Sequence, residues 1–177
     1  MILELLNKVC KSLNGNNIPY MISGSIAMNI YTIPRLTRDI DIVIELDKSG
    51  IDDFIGLFPD SYFNIDTIRD ETVKRGMFNI IDNQTGFKID FIIRKDTRYF
   101  KLAFDRRQKI HEFDTDLWII TLEDLIIAKL VWIQEIQSDQ HKSDIHNLLL
   151  YPDIDMSYIN KWCQELNLET FNLLQNE

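Results

Sequence analysis

The stretch "DIDIVIEL", residues 39–46, sets two aspartates inside a run of isoleucine and valine. Its β-branched residues make it the clearest strand in the chain. Side chains two apart on a strand leave the same face, so Asp39 and Asp41 project side by side. A carboxylate drawn into a half-buried sheet is costly unless paired, and two neighbouring ones repel. The chain must therefore fold so that one sheet face brings a cation to this pair. Arg35 and Arg38, just upstream, could supply it as ordinary ion pairs at a strand end; a metal ion is the other source.

Around this strand the pattern is mixed. Residues 2–14 carry Ile2, Leu5, Leu6, Val9 and Leu13 at helical spacing, with Gly15 just past the end. "IPYMIS" (18–23) reads as a short strand, "SIAMNIY" (25–31) as a short helix, and 48–58 as a helix ending at Pro59. "MFNII" (77–81) and "FKIDFII" (87–93) flank the turn formers of "DNQTG" and predict an antiparallel hairpin. Residues 96–107 read as helix and 117–120 as a strand. "TLEDLIIAKLVWIQEIQ" (121–137) opens with Thr121-x-x-Asp124, close to a capping box, and 142–150 and 157–166 are helical too. The expected fold class is α/β (α+β): a catalytic α/β core over 1–120, with a mixed sheet flanked by helices, and a helical portion over 121–177 packed on it.

Two further features turn the aspartate pair into a candidate site. Gly24-Ser25 falls where a strand ends and a helix begins. Such a turn aims backbone N–H groups and a helix dipole at an anion, and the Ser25 hydroxyl adds a donor. Downstream, Asp90 sits between Ile89 and Phe91 on an apolar strand, with alternation placing Lys88, Asp90 and Ile92 on one face. Three carboxylates on adjacent strands can hold two divalent ions ~3.5–4 Å apart, one binding a triphosphate and the other activating a hydroxyl. Magnesium suits such an all-oxygen site. A half-exposed strand with a Lys88–Asp90 surface pair is the plainer alternative.

Gly24-Ser25, a spacer, Asp39-x-Asp41 at a strand start and Asp90 on a later strand together resemble the DNA polymerase beta nucleotidyltransferase superfamily. "RLTRDIDIVI", "TLEDLIIAKL" and "HKSDIHNLL" are most similar to its small prokaryotic branch of abortive-infection toxins, other toxin–antitoxin enzymes and antibiotic nucleotidyltransferases. Abortive-infection toxins usually carry Gly-Gly where this chain has Ser23-Gly24-Ser25. The resemblance implies a nucleotidyltransferase fold and transfer of a nucleoside monophosphate from an NTP such as ATP to an acceptor hydroxyl, with two magnesium ions. Asp39, Asp41 and Asp90 would be catalytic and metal-holding; Gly24, Ser25, Arg35, Arg38 and Lys129 would bind the nucleotide. It leaves the acceptor open among RNA, protein and a small molecule such as an aminoglycoside, and implies a possible antitoxin partner. A non-catalytic nucleotide-binding regulatory module of the same fold is the other class. On the residues alone, Lys129 is equally a helix side chain reaching solvent. Asp144 either supports the site through Lys142 or is a solvated helix position.

Composition narrows the partners. Nineteen lysines and arginines against 28 aspartates and glutamates give a net charge of −9, which argues against loose binding to nucleic acid. Yet residues 94–109 hold Arg94, Lys95, Arg98, Lys101, Arg106, Arg107 and Lys109 against only Asp96 and Asp105, interleaved with Tyr99, Phe100 and Phe104. That island could stack and pair with single-stranded RNA, or be a helix burying its aromatics while its charges stay wet. The sequence as a whole is 45% hydrophobic, without the ~20-residue apolar run of a membrane span or a secretory h-region. With Cys10 and Cys163 far apart and unpaired, the expectation is a reduced, cytoplasmic protein without a membrane partner. His111, His141 and His146 lack metal-ligand spacing, and the three tryptophans read as packing residues.

Overall fold

A computed structural model describes residues 1–174. In chain order its first half contains α1 (Ile2–Gly15), β1 (Tyr20–Ile22), α2 (Gly24–Tyr31), β2 (Asp39–Ile44), α3 (Ile51–Gly56), β3 (Ser61–Tyr62), α4 (Ile65–Lys74) and β4 (Met77–Asp82). There follow β5 (Lys88–Ile93), α5 (Arg98–Asp105), β6 (Gln108–Glu112), β7 (Thr115–Ile119), α6 (Leu122–Ile133), α7 (Asp139–Leu149) and α8 (Met156–Glu165). The strands form one mixed sheet in the order β3-β4-β5-β2-β1-β7-β6. The hairpin expected around "DNQTG" is β4–β5, paired antiparallel. Residues 175–177, the end of the expected helical portion, lie outside the described residues.

The sheet has two unlike faces because its central strands alternate. Ile40, Ile42 and Ile44 of β2 and Ile89, Phe91 and Ile93 of β5 are completely buried. On that side Phe54 and Phe58 of the α3 region pack with Phe78 and Phe91, ring centroids 5.0–5.7 Å apart. Each such side chain removed from water contributes about 1.5–3 kcal/mol, so the register of β2 against β5 is set by this face. The opposite face then has to carry Asp39, Asp41 and Val43 beside Lys88, Asp90 and Ile92.

Three elements were not expected from the sequence. α4 buries little more than Ile68 and Thr72, so its polar sequence gives a weak helical stripe; it is started by the Asn64 side chain, which accepts the Thr67 N–H at 3.0 Å. β3 is a two-residue edge strand on β4. β6, "QKIHE", pairs antiparallel with β7 through a turn in which Phe113 and Asp114 both have positive φ, a job usually given to Asn-Gly. The expected helix over 48–58 is instead a 3-10 turn at Lys48–Gly50, initiated by Asp47, leading into α3.

α6 is nearly all apolar and is buried against α2, α7 and α8. The expected capping box takes another form. Thr121 donates its hydroxyl to Asp124 at 2.7 Å, and the fully buried Asp124 also accepts from Arg106 Nε at 3.0 Å, Tyr99 at 3.2 Å and Tyr158 at 2.8 Å. This satisfied network ties α5, α6 and α8 together.

Candidate active site

β1 ends one residue before a sharp bend. Ser23 donates its N–H to the Asp41 carbonyl at 2.9 Å, and Gly24 then turns the chain into α2 with φ +58°. A Cβ at Gly24 would lie 1.9 Å from Asp41 Oδ2. Only glycine lets the start of α2 press onto that carboxylate. The Ser25 N–H, assigned from sequence to a phosphate, therefore faces Asp41 itself and offsets part of the rise that burial imposes on its pKa.

The parallel register of β2 and β5 sets Asp41 opposite Asp90 and Asp39 opposite Lys88. The three carboxylates expected together are thus on one face of neighbouring strands. Burial, followed by the charges of Asp90 and Asp39, raises the Asp41 pKa above the ordinary carboxylate value; Ser25 and Lys129 offset this only in part. Lys88 takes a position the sequence left to a metal. Its Nζ lies 2.6 Å from Asp90 Oδ2 and 3.8 Å from Asp39 Oδ1. Burial works against this ammonium, but the hydrogen bond and charge of Asp90, with Asp39 and Asp41 behind it, raise its pKa.

Consequently, among the described residues no three carboxylate, histidine or cysteine side chains are drawn around a common metal point. The donor set nevertheless fits a hard divalent cation. It is all oxygen, Asp39 and Asp90 share one ammonium with the charge of Asp41 behind them, and Asp90 Oδ1 is buried with no hydrogen-bond partner. Asp39, Asp41 and Asp90 could hold magnesium once Lys88 moves aside.

A second charge cluster borders the turn. Arg35 Nη2 donates to Ser25 Oγ at 3.0 Å and pairs with Asp144 Oδ2 at 3.0 Å, and its backbone is clamped by the Asn29 amide. Lys129 reaches the same Asp144 oxygen at 2.8 Å, and Gln140 donates to the other at 2.9 Å. Burial pushes the Asp144 carboxyl up, but Arg35, Lys129 and Gln140 outweigh it and hold its pKa below the ordinary value. Gly24, Ser25, Arg35 and Lys129 are thus assembled beside Asp41, whereas Arg38 is exposed and makes no ion pair among the described residues. Asp144 is the residue that sequence reading placed poorly. It is completely buried and pairs with Arg35 and Lys129, not Lys142. An aspartate inside the amphipathic "SDIHNLL" was the only signal.

The basic island is largely consumed internally. Arg94 pairs with Glu45 and Asp96, Lys101 with Asp96, Arg98 with Glu165, Arg106 with Asp124 and Lys109 with Asp116. Arg107 stacks on Phe104 and Trp118 at 4.2 and 4.9 Å, leaving few cations and buried aromatics to offer RNA.

A family model described as "Nucleotidyltransferase of unknown function (DUF6036)" matches residues 1–175. No curated protein matches the sequence. Among solved structures, the chain is similar to lincomycin-bound LnuA, a lincosamide antibiotic adenylyltransferase, with a TM-score of 0.55 and 12% identity over 80% of this chain and 92% of that one. It is also similar to an antigenic nucleotidyltransferase-like protein from Paracoccidioides brasiliensis, with a TM-score of 0.54 and 16% identity over 97% and 91%. ANT(2'')-Ia in complex with adenylyl-2''-tobramycin gives 0.52 and 11% over 97% and 91%. At these identities the likeness is one of fold, and the fold is that of nucleotidyltransferases.

Proposed function

From the premise that the chain belongs to this nucleotidyltransferase family, we propose that it moves a nucleoside monophosphate from a magnesium-bound NTP to an acceptor hydroxyl. The observation that carries this reading is the pairing of Asp41 with Asp90 across β2 and β5, with Asp39 alongside, at the foot of the Gly24–Ser25 turn. Ser25, Arg35 and Lys129 supply donors and positive charge for the triphosphate. Magnesium, when bound by Asp39, Asp41 and Asp90, would neutralise phosphate charge and favour the ionised acceptor hydroxyl.

In the reaction the acceptor oxygen forms a bond to the α-phosphorus, and the bond from that phosphorus to the bridging oxygen of the β-phosphate breaks. Pyrophosphate leaves on the side of Arg35 and Lys129. The hydroxyl proton passes to Asp90 Oδ1, the oxygen without a partner. Most of the rate enhancement comes from positioning and charge neutralisation.

Incubation with each labelled NTP, magnesium and separate pools of RNA, protein and small hydroxylated molecules should transfer label to one pool and release pyrophosphate. Asp41→Asn should lower both by at least ~100-fold, the scale of losing one electrostatic stabiliser, with the fold intact by circular dichroism. Transfer at wild-type rate by Asp41→Asn would remove this assignment. The second reading, a non-catalytic nucleotide-binding module, is favoured by the Lys88 ammonium seated on Asp90. Nucleotide binding without any pyrophosphate release would select it.

A further inference from the structure

One pleat along the same sheet face, the carboxylates give way to a cavity of about 360 Å³. Its floor is Met21, Val43 and Ile92, so it begins about 7 Å, two strand residues, from Asp41 and Asp90. Ala128 and Val131 of α6 and Ala103 of α5 roof it. Phe100 and the partly exposed Trp132 stand as aromatic walls. Of the charged residues that line it, Arg94 and Asp124 are already paired. Arg75 donates to the Arg94 carbonyl at 2.8 Å, Lys95 lies 5.3 Å over the Phe100 ring, and neither makes an ion pair among the described residues; Glu135 is the remaining acid in the lining.

The position of this cavity relative to the turn assigns its occupant. Phosphate donors lie on the β1 side of β2, at Ser25, Arg35 and Lys129. Displacement at phosphorus is in line, so the acceptor must approach from the side opposite the departing pyrophosphate. One end of the cavity lies on that side, at Gly76, Met77, Ile92 and Lys95, while Met21, Ser23 and Ala128 line the end toward β1 and α6; Asp90, whose buried Oδ1 has no partner, is one pleat from Ile92. A volume of this size with apolar walls suits one compact molecule; it is too small and apolar for an RNA backbone. The unpaired Arg75 and Lys95 select against a polycationic acceptor such as an aminoglycoside.

Resting on the nucleotidyltransferase reading, we propose that this cavity binds the acceptor, and that the acceptor is a small molecule with a flat apolar body, an anionic group set against Arg75 and Lys95, and a hydroxyl directed at Asp90. The probes are 8-anilinonaphthalene-1-sulfonate and its uncharged counterpart N-phenyl-1-naphthylamine, which share a flat body and differ in the anion. Wild type should bind the sulfonate at one site per chain, about tenfold more tightly than the amine. Ala128→Phe should weaken both at least tenfold while leaving magnesium–ATP binding unchanged. Arg75→Gln with Lys95→Gln should abolish the preference for the sulfonate. Should Ala128→Phe fail to fold by circular dichroism, Trp132→Ala, at the exposed mouth, should weaken both probes several-fold.

Probe binding unaffected by Ala128→Phe or by Trp132→Ala overturns the site, and no preference for the sulfonate overturns the anionic acceptor. Transfer of label to RNA or protein that persists undiminished in Ala128→Phe overturns the acceptor assignment. Failure of the parent reading looks different. Wild type would then release no pyrophosphate from any NTP, or Asp41→Asn would transfer label as wild type does, while the probe results stay as stated.

Discussion

Asp41 pays for its position. Burial and the charges of Asp90 and Asp39 raise its pKa, so the folded protein binds its proton more tightly than the unfolded chain does. This residue therefore subtracts from stability as pH rises above about 4, where the unfolded carboxyl ionises. Asp41→Asn should raise the melting temperature by ~2–4 °C at pH 7, the shift expected for about 1 kcal/mol in a chain of this size, and the gain should shrink as pH falls toward 4. A lower melting temperature at neutral pH would contradict the strain assigned to this carboxylate. Lys88 relieves the same repulsion from the other strand, bridging Asp39 and Asp90 with its ammonium. It competes with any divalent ion for those oxygens. Lys88→Met should accordingly tighten manganese binding by about tenfold, the effect of removing a ~1.4 kcal/mol competitor, read by electron paramagnetic resonance of free manganese. Unchanged affinity would mean that the ammonium does not guard the site.

At the scale of elements, the site depends on helices that meet far from one another in sequence. Arg35 precedes β2, Lys129 is on α6 and Asp144 on α7, and the three form one cluster through the buried Asp144 carboxylate. Removing its charge strands two cations, of which Lys129 is buried. Asp144→Asn should cost about 3 kcal/mol at pH 7 and should loosen nucleotide binding as Arg35 and Lys129 lose their anchor. The Asp144 pKa is depressed, so its contribution is complete above the unfolded carboxyl value and is lost as pH falls through the lower folded value. Denaturant midpoints of wild type and Asp144→Asn should therefore converge as pH drops below about 4. A gap that stays constant down to pH 3 would assign the loss to packing instead of charge.

Over the whole molecule, charge placement matters more than net charge. The cations of 94–109 are spent on Asp96, Asp116, Asp124, Glu45 and Glu165 or on aromatic rings, holding α5 and β6 to their neighbours. With a net charge of −9, the protein should leave single-stranded RNA unshifted in a native gel at micromolar concentration and physiological salt. A salt-sensitive shift would show that the island's pairs open to solvent. An unshifted RNA would agree with an acceptor chosen by a small apolar cavity beside the carboxylates.

The local sequence was sufficient for whatever depends on short-range pattern. The period-two burial of "DIDIVIEL" and "FKIDFII" set the shared face of Asp39, Asp41 and Asp90 because register follows the apolar side. Gly24 was legible as the turn into α2 because a strand pattern ends and a helix pattern begins there; that the carboxylate of Asp41 presses on it came only from the structure. Elements with weak apolar signal, α4 and β6, escaped notice, since their place comes from a cap and a neighbouring strand. Only tertiary structure could seat Lys88 between two carboxylates, bury Asp144 under cations 15 and 109 residues away, and open an apolar cavity next to the site. Those outcomes depend on which distant surfaces are excluded from water together, and the pattern along a single strand or helix carries no record of its partner.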